Sequence, residues 1–145
     1  MLSKDNRQLV LQVFFEDPLP RGGFQLREIS RKIKLAPKSV KKYLNELEKE
    51  KLIITQKQRV QGYPMYYANR ESEYLKLLKK QQTILTLYES HLLAYIQENC
   101  HPEAIILFGS ASRGEDTKES DIDLCIISPE KDLDLAKYEL FLKRK

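Results

Sequence analysis

An apolar run that ends in Gly-Ser constrains the fold of this chain more than any other feature. Residues 104–108 (Ala-Ile-Ile-Leu-Phe) have the length and composition of a buried strand. Gly109 allows a sharp turn and the close approach of a ligand. Ser110 adds a hydroxyl at the start of a predicted short helix, where backbone amides attract phosphate. Arg113 lies about one helical turn later and can reach the same anion. The sequence therefore predicts a phosphate site at the end of this strand.

The next apolar segment carries two acidic residues in alternation. Residues 121–126 (Asp-Ile-Asp-Leu-Cys-Ile) predict a strand with Asp121, Asp123 and Cys125 on one face and the aliphatic residues on the other. Cys125 is predicted to be buried. Because neighbouring carboxylates repel each other, the simplest stabiliser is a divalent cation. Carboxylate oxygens suit Mg²⁺, which normally also holds substrate phosphates. The pattern predicts a metal site at Asp121 and Asp123 that neutralises charge on a triphosphate.

These two segments, at this spacing and with residues 113–116 (Arg-Gly-Glu-Asp) and Ser120 between them, resemble the nucleotidyltransferase family related to DNA polymerase β. The small archaeal and bacterial members are the most similar. The resemblance implies that Gly109 and Ser110 hold the triphosphate of an NTP. It also implies that Asp121 and Asp123 bind Mg²⁺ and are the catalytic carboxylates if the domain is active. Arg113 is a weaker candidate for a phosphate contact.

Members of this family usually carry a third carboxylate on a later strand. Here Ser128-Pro129 breaks the second strand, and residues 132–145 predict a helix. The acidic residues on that helix are more typical of dipole-complementing or solvated positions. Two strands alone form a marginal sheet. We therefore expect a partial α/β domain that is truncated, completed by another chain or reduced to a binding remnant.

Charge is distributed unevenly along the 145 residues, which suffice for one medium domain or two small ones. Residues 1–70 contain 15 Lys or Arg against 7 Asp or Glu, a net charge of +8. Residues 100–145 contain 7 against 10, a net charge of −3. The basic part has the charge of a nucleic-acid-binding domain, and the acidic part that of a metal-binding one. Two domains with different partners fit this distribution better than one.

Hydropathy and cysteine content exclude several other classes of protein. No apolar run is long enough to span a membrane, and the N-terminus lacks the apolar core of a signal peptide. We therefore expect a cytoplasmic protein without a membrane partner. Cys100 and Cys125 do not form a disulfide framework, and no spacing indicates a zinc site.

The first 70 residues predict three helices and a β-hairpin. Ser3 is the expected cap of the first helix, which runs to about Glu16, and Pro37 begins the third. The second helix spans about residues 26–34, the third ends at about residue 51, and the strands cover residues 52–55 and 63–67. This order resembles the winged-helix form of helix-turn-helix proteins.

The winged-helix resemblance implies binding of double-stranded DNA, with the third helix in the major groove. Lysines suit phosphates, whereas Asn45 and Ser39 can reach base edges. The alternative is a winged helix used for protein contact, with solvated lysines. The predicted DNA-binding residues are Lys38, Ser39, Lys41, Lys42 and Asn45 on the helix, with Lys57 and Arg59 in the hairpin.

Residues 71–99 lack Gly and Pro and predict one long helix or two in series. Leu78, Leu85 and Leu92 recur every seven residues, with Tyr74, Tyr88 and Tyr95 on a neighbouring track that Gln81 interrupts. That pattern is typical of a coiled-coil seam and suggests a homodimer. The alternative is that the first half connects the domains while the second half, from about residue 90, packs on the sheet.

Together the patterns predict an α+β protein with a winged helix over residues 1–70, a connecting helix or helices over 71–99 and a partial nucleotidyltransferase domain over 100–145. The first functional hypothesis is a DNA-binding transcriptional regulator whose second domain binds NTP and Mg²⁺. The second is an enzyme that transfers NMP from NTP to a protein or nucleic-acid acceptor. The third, suggested by the family resemblance alone, is a toxin–antitoxin component with a helical partner protein.

Overall fold

The computed structural model describes residues 5–18, 20–58, 61–129 and 132–144. These residues form seven helices and four strands, and the strands pair into two small antiparallel sheets. The predicted α+β class is confirmed. The chain divides into two compact units, residues 1–75 and 76–145. None of the described helices is long and apolar enough to cross a membrane.

The first unit has the predicted order of three helices followed by a hairpin. The first helix, which begins at Asn6, is capped by Asp5, whose carboxylate accepts a hydrogen bond from the Gln8 amide at 2.7 Å. The predicted cap, Ser3, lies outside the described residues. The elements are α1 (Asn6–Glu16), α2 (Leu26–Ile33), α3 (Pro37–Lys49), β1 (Ile53–Lys57) and β2 (Pro64–Ala68).

One strand-like pairing in this unit was absent from the sequence prediction. Phe24 and Tyr66 exchange two backbone hydrogen bonds of 2.9 Å, so a single residue before α2 adds a third row to the hairpin. The Phe24 ring also meets Phe14 of α1 edge to face at 5.6 Å between centroids. The core that these contacts complete consists mainly of Val10, Phe14, Ile29, Val40, Leu44, Leu47, Leu52 and Tyr66.

The second unit places one helical layer on a two-stranded sheet. Its elements are α4 (Glu73–Glu89, which begins in the first unit), α5 (Leu92–Cys100), β3 (Ala104–Phe108), α6 (Gly109–Arg113), β4 (Asp123–Ile127) and α7 (Ala136–Leu142). The strands β3 and β4 pair antiparallel, with Phe108 opposite Asp123. Side chains from both strands, among them Ile105 and Leu124, pack against the buried cluster of Leu87, Leu92, Ile96 and Cys100.

The opposite face of this sheet is exposed in the described part of the chain. Ile106, Phe108 and Ile127 are exposed there, and so is Cys125. The prediction that Cys125 is buried was wrong, because helices cover only the face that carries Ile105 and Leu107. The last helix is also shorter than predicted and begins at Ala136 rather than residue 132.

The segment between the two sheets is two helices in series rather than one. The break falls at Ser90 and His91, where His91 has a left-handed φ of 62°. The Ser90 hydroxyl donates to the Leu87 carbonyl at 2.8 Å and so closes the end of α4. Leu92 begins α5 and is buried in the core. The alternative that the second half of this segment packs on the sheet is therefore confirmed for Leu92 and Ile96.

Candidate functional site

At the end of β3, the backbone of Gly109 lies very close to the side chain of Asp123. Gly109 follows Phe108, which lies opposite Asp123 in the sheet, and has a φ of +71°. A Cβ atom added at Gly109 would lie 2.2 Å from Asp123 Oδ2 and 3.2 Å from its Cγ. A side chain there would therefore both strain the backbone and displace the carboxylate. Only glycine lets the turn lie directly against Asp123.

The turn after Gly109 is held by hydrogen bonds to its own carbonyl groups, and the Ser110 hydroxyl takes no part in them. The Ser112 hydroxyl donates to the Gly109 carbonyl at 2.8 Å, and the Glu115 amide donates to the Ser110 carbonyl at 3.0 Å. Among the described residues, no group hydrogen-bonds to the hydroxyl of Ser110, which is half-buried. A ligand oxygen can take that position beside Gly109.

The two aspartates lie at the start of β4. Asp121 is exposed and precedes the strand, whereas Asp123 is half-buried and begins it. Ile122 between them packs against the core cluster, so alternation directs both aspartates away from the core. A turn supports them, in which the Thr117 amide donates to the Ser120 hydroxyl at 2.9 Å.

The donor set at this position fits Mg²⁺ bound together with a phosphate ligand. Within the described ranges, no group of three or more His, Cys, Asp or Glu could hold a metal ion. Two carboxylates are nevertheless what Mg²⁺ commonly takes from a protein when substrate phosphates and water complete its octahedron. Asp123 against the Gly109 backbone and Asp121 two residues before it could supply those oxygens.

Arg113 is engaged with a neighbouring acid instead of pointing at an open position. Its Nε donates to Glu115 Oε2 at 2.8 Å, and its side chain is 59% exposed. This hydrogen bond is the largest cause that lowers the pKa of Glu115, and nearby Lys76 lowers the pKa further. The carboxylate therefore stays charged and competes with a phosphate for Arg113.

A buried ionic cluster supports the loop between the glycine turn and the aspartates. Asp116 is 1% exposed, and its Oδ2 lies 2.8 Å from Arg144 Nη1. Lys79 of α4 lies 3.5 Å from Asp116 Oδ1 and also donates to the Asp116 carbonyl. Arg144 Nε donates to the Ser120 carbonyl at 2.8 Å, one residue before Asp121. The cluster thus joins α4, the loop and Arg144, the second residue after α7.

Sequence reasoning missed this cluster because Asp116 lies in a polar, charged stretch typical of a solvated loop. One signal points to close packing there, namely Gly114. It has a φ of +68°, and a Cβ atom on it would lie 2.1 Å from the Lys76 carbonyl oxygen. The loop can approach α4 this closely only with glycine at that position.

A second candidate site follows the outer face of α3 in the first unit. A shallow groove there brings together all five of the predicted helix residues and adds Lys49, which the prediction omitted. Its lining consists of Lys38, Ser39, Lys41, Lys42, Asn45, Glu46 and Lys49. In the described part of the chain, no carboxylate forms an ion pair with Lys38, Lys42 or Lys49. The face therefore presents a net positive charge, with four lysines against the single acid Glu46.

The lysines of this face are not equivalent. Lys41 Nζ donates to the Tyr66 hydroxyl at 3.0 Å and lies 5.6 Å from the centre of that ring. Lys41 consequently helps to hold α3 on the hairpin as well as adding charge to the groove. Lys57 is exposed at the end of β1, and Arg59 lies outside the described residues.

Comparison with known proteins identifies the C-terminal region, which contains the glycine turn and the two aspartates. Residues 90–145 match the family model of the nucleotidyltransferase domain. The match contains Gly109, Ser110, Arg113 and both aspartates, and it extends from α5 to the end of α7. No curated protein and no solved structure matches the chain. The C-terminal region is therefore nucleotidyltransferase-like, as its motif predicted, and the match does not extend to the first unit.

Proposed function

We propose that the protein is a DNA-binding regulator whose C-terminal domain binds a nucleoside triphosphate with Mg²⁺. The observation that carries the nucleotide part is the approach of Gly109 to Asp123, 2.2 Å from an added Cβ to Oδ2, within the region that matches nucleotidyltransferase domains. In such an arrangement the glycine backbone can bind a phosphate while the adjacent carboxylate binds a metal ion. Both ligands, DNA and nucleotide, occur in the cytoplasm, which is where we propose that the protein acts.

Each residue of the nucleotide site has a distinct role in this proposal. The backbone at Gly109 and the hydroxyl of Ser110 bind phosphate oxygens. Asp121 and Asp123 hold Mg²⁺, which neutralises charge on the triphosphate when it is bound. Arg113 contacts phosphate only after it leaves Glu115, 2.8 Å away in this structure. Asp116 with Lys79 and Arg144 fixes the loop that leads to the aspartates.

The DNA-binding part of the proposal rests on the first unit, whose helices and hairpin have the order of a winged helix. The α3 face would enter the major groove, with Lys38 and Lys42 on phosphates and Asn45 and Ser39 at base edges. Lys57 and Arg59 of the hairpin would contact the backbone or the minor groove. The net charge of +8 over residues 1–70 favours nucleic acid over a protein partner as the ligand.

The regulator proposal is tested by gel-shift titration of the full chain against random duplex DNA at several salt concentrations. We expect affinity to fall steeply with salt, because phosphate contacts release counterions. The variant Lys38→Gln/Lys42→Gln should bind at least about 10-fold more weakly and with a shallower salt dependence. The control Arg21→Gln/Lys137→Gln removes the same charge from exposed positions outside α3 and should bind normally.

Two results would contradict this proposal. One is binding that is insensitive to salt, and the other is an equal loss of affinity in the two double variants. Adding NTP and Mg²⁺ to the same titration examines regulation itself, since a regulator should change its DNA affinity with the nucleotide.

The second candidate function is enzymatic transfer, which the paired aspartates beside Gly109 favour. In this reaction an acceptor oxygen of a protein or nucleic acid attacks the α-phosphorus of NTP. A new phosphoester bond forms, the α–β phosphoanhydride bond breaks and pyrophosphate leaves. Incubation with α-phosphate-labelled NTPs should label an acceptor with the native chain and not with Asp121→Asn/Asp123→Asn. Absence of label across several acceptors and metals would contradict the enzyme hypothesis.

We also propose two protein partners, a second copy of this chain and a helical partner protein. A homodimer through the connecting helix would present two α3 faces to symmetric half-sites on DNA. The proposal of a helical partner protein, as in toxin–antitoxin pairs, rests on the family resemblance alone. Co-purification with a small helical protein encoded by a neighbouring gene would support it.

A further inference from the structure

The helix α4 exposes a stripe of large apolar side chains. These are Tyr74 at 50%, Leu77 at 50%, Ile84 at 37%, Leu85 at 45% and Tyr88 at 65% of full exposure. Positions 74, 77, 81, 84 and 88 follow one another at alternating steps of three and four, which is the a/d spacing of a coiled coil. Position 81 is a glutamine. We refer to the five apolar residues and Gln81 as the α4 stripe.

The α4 stripe is separate from the face by which α4 packs in its own unit. Lys79, Thr83 and Leu87 are buried, and they recur every four residues on the other side of the helix. The structure also revises the predicted seam, because Leu92 is buried in the core and belongs to another helix. What remains exposed is a stripe centred on Gln81.

Five of the eight residue pairs in α4 that lie at equal distances from Gln81 are alike. Two of these pairs are Glu73 with Glu89 and Tyr74 with Tyr88. The further matching pairs are Leu75 with Leu87, Leu77 with Leu85 and Leu78 with Ile84. In an antiparallel pair of identical helices, a residue on the facing side meets the residue at the equivalent distance on the other side of the axis. Tyr74 would then face Tyr88, Leu77 would face Leu85, Ile84 would face the half-buried Leu78, and Gln81 would face Gln81 of the second copy. The Leu75–Leu87 pair is buried in the core and takes no part in this contact.

We infer that the α4 stripe is covered by α4 of a second copy of this chain, antiparallel and with the two-fold axis at Gln81. A two-fold interface must be self-complementary, and this stripe has that property along its whole length. A different helical partner would not require the pairing of like residues about Gln81. The inference deepens the proposed homodimer, but it does not depend on binding of DNA or nucleotide.

The size of the stripe sets the expected strength of the dimer. Five half-exposed aliphatic and aromatic side chains offer roughly 100 Å² each, so the pair would bury about 1,000 Å² in total. That area is at the lower limit for specific interfaces. We therefore expect a dissociation constant on the order of micromolar.

The dimer is tested by light scattering of the full chain from about 1 to 200 μM without DNA or nucleotide. The mass should rise from monomer to dimer over this range. The variant Leu77→Glu/Leu85→Glu places charge on both sides of Gln81 and should stay monomeric throughout, with an unchanged circular dichroism spectrum because both residues are exposed. The control Leu140→Glu/Phe141→Glu alters apolar residues of α7 that are more exposed still, and it should dimerise normally.

Cysteine crosslinking tests the orientation, in a Cys125→Ser background that removes the exposed native thiol. In the antiparallel pair, a mixture of the single variants Tyr74→Cys and Tyr88→Cys should crosslink, whereas each alone should not. Crosslinking of each variant alone would overturn the antiparallel arrangement. A native chain that is monomeric at 200 μM, or a dimer lost only in the α7 control, would overturn the interface. These outcomes leave the DNA and nucleotide proposals untouched.

Discussion

At the scale of single residues, Asp116 is the side chain on which the second unit depends most. It is buried between Lys79 and Arg144, and two of the atoms in this cluster, Asp116 Oδ1 and Arg144 Nη2, are buried without a hydrogen bond. Replacing the carboxylate would leave the buried Lys79 and the partly buried Arg144 without their counter-charge. Breaking a buried ion pair from one side costs about 3–5 kcal/mol.

We predict that Asp116→Ala lowers the free energy of unfolding of the second unit by about 3 kcal/mol. Urea unfolding followed by circular dichroism measures it, with two transitions fitted if the units unfold separately. The control Glu119→Ala removes an exposed acid from the same loop and should change stability by less than about 0.5 kcal/mol. Equal effects of the two substitutions would show that the cluster is not important for stability.

Gly109 is the second residue whose identity the structure explains. We predict that Gly109→Ala weakens binding of NTP with Mg²⁺ at least about 10-fold, because its Cβ would displace the Asp123 carboxylate. Gly62→Ala is the matched control, since Gly62 also has a positive φ, +67°, but nothing lies within 4 Å of an added Cβ. Calorimetric titration should give native affinity for Gly62→Ala. Native affinity for Gly109→Ala would contradict the role given to this glycine.

At the scale of secondary-structure elements, the sequence predicted the type and order of the helices and strands better than it predicted which of their faces are buried. Spaced apolar residues such as Val40, Leu44 and Leu47 identified α3, because one face of a helix must pack on a core. The strand β4 was found from its apolar alternation, yet Cys125 was wrongly placed in the interior. An apolar run does not show whether one or both faces of its strand are covered, since that depends on neighbouring elements.

The break between α4 and α5 could not be predicted from turn residues, because no Gly or Pro marks it. His91 adopts a left-handed conformation there so that Leu92 can enter the core. A left-handed φ costs a residue with a Cβ about 1 kcal/mol more than glycine. Tertiary packing therefore overrides local preference at this position.

The left-handed conformation of His91 leads to a prediction for the junction between α4 and α5. We expect His91→Gly to raise the free energy of unfolding by about 0.5 kcal/mol, after the greater chain entropy of glycine is subtracted. Ala94→Gly, in the first turn of α5 and also exposed, should lower it by up to about 1 kcal/mol. Urea unfolding of both variants distinguishes a conformational effect from a general effect of glycine. A loss of stability in His91→Gly would contradict the strain at this break.

At the scale of the whole molecule, the chain combines a basic unit with an acidic one, and each carries its own candidate site. The net charges of +8 over residues 1–70 and −3 over residues 100–145, and the motif at residues 109–123, were visible in the sequence. The buried cluster at Asp116 and the exposed stripe on α4 were not, because both depend on which faces the fold covers. Motifs thus located the candidate sites, whereas the structure located the residues that support them.

The most direct test of the account is calorimetric titration of the full chain with each NTP in the presence of Mg²⁺. We predict binding that requires the metal and is lost in Asp121→Asn/Asp123→Asn. The control Asp132→Asn/Glu139→Gln removes two exposed carboxylates from outside the site and should retain it. Absence of binding in the native chain, or equal binding in all three proteins, would contradict a nucleotide site at Gly109, Ser110, Asp121 and Asp123.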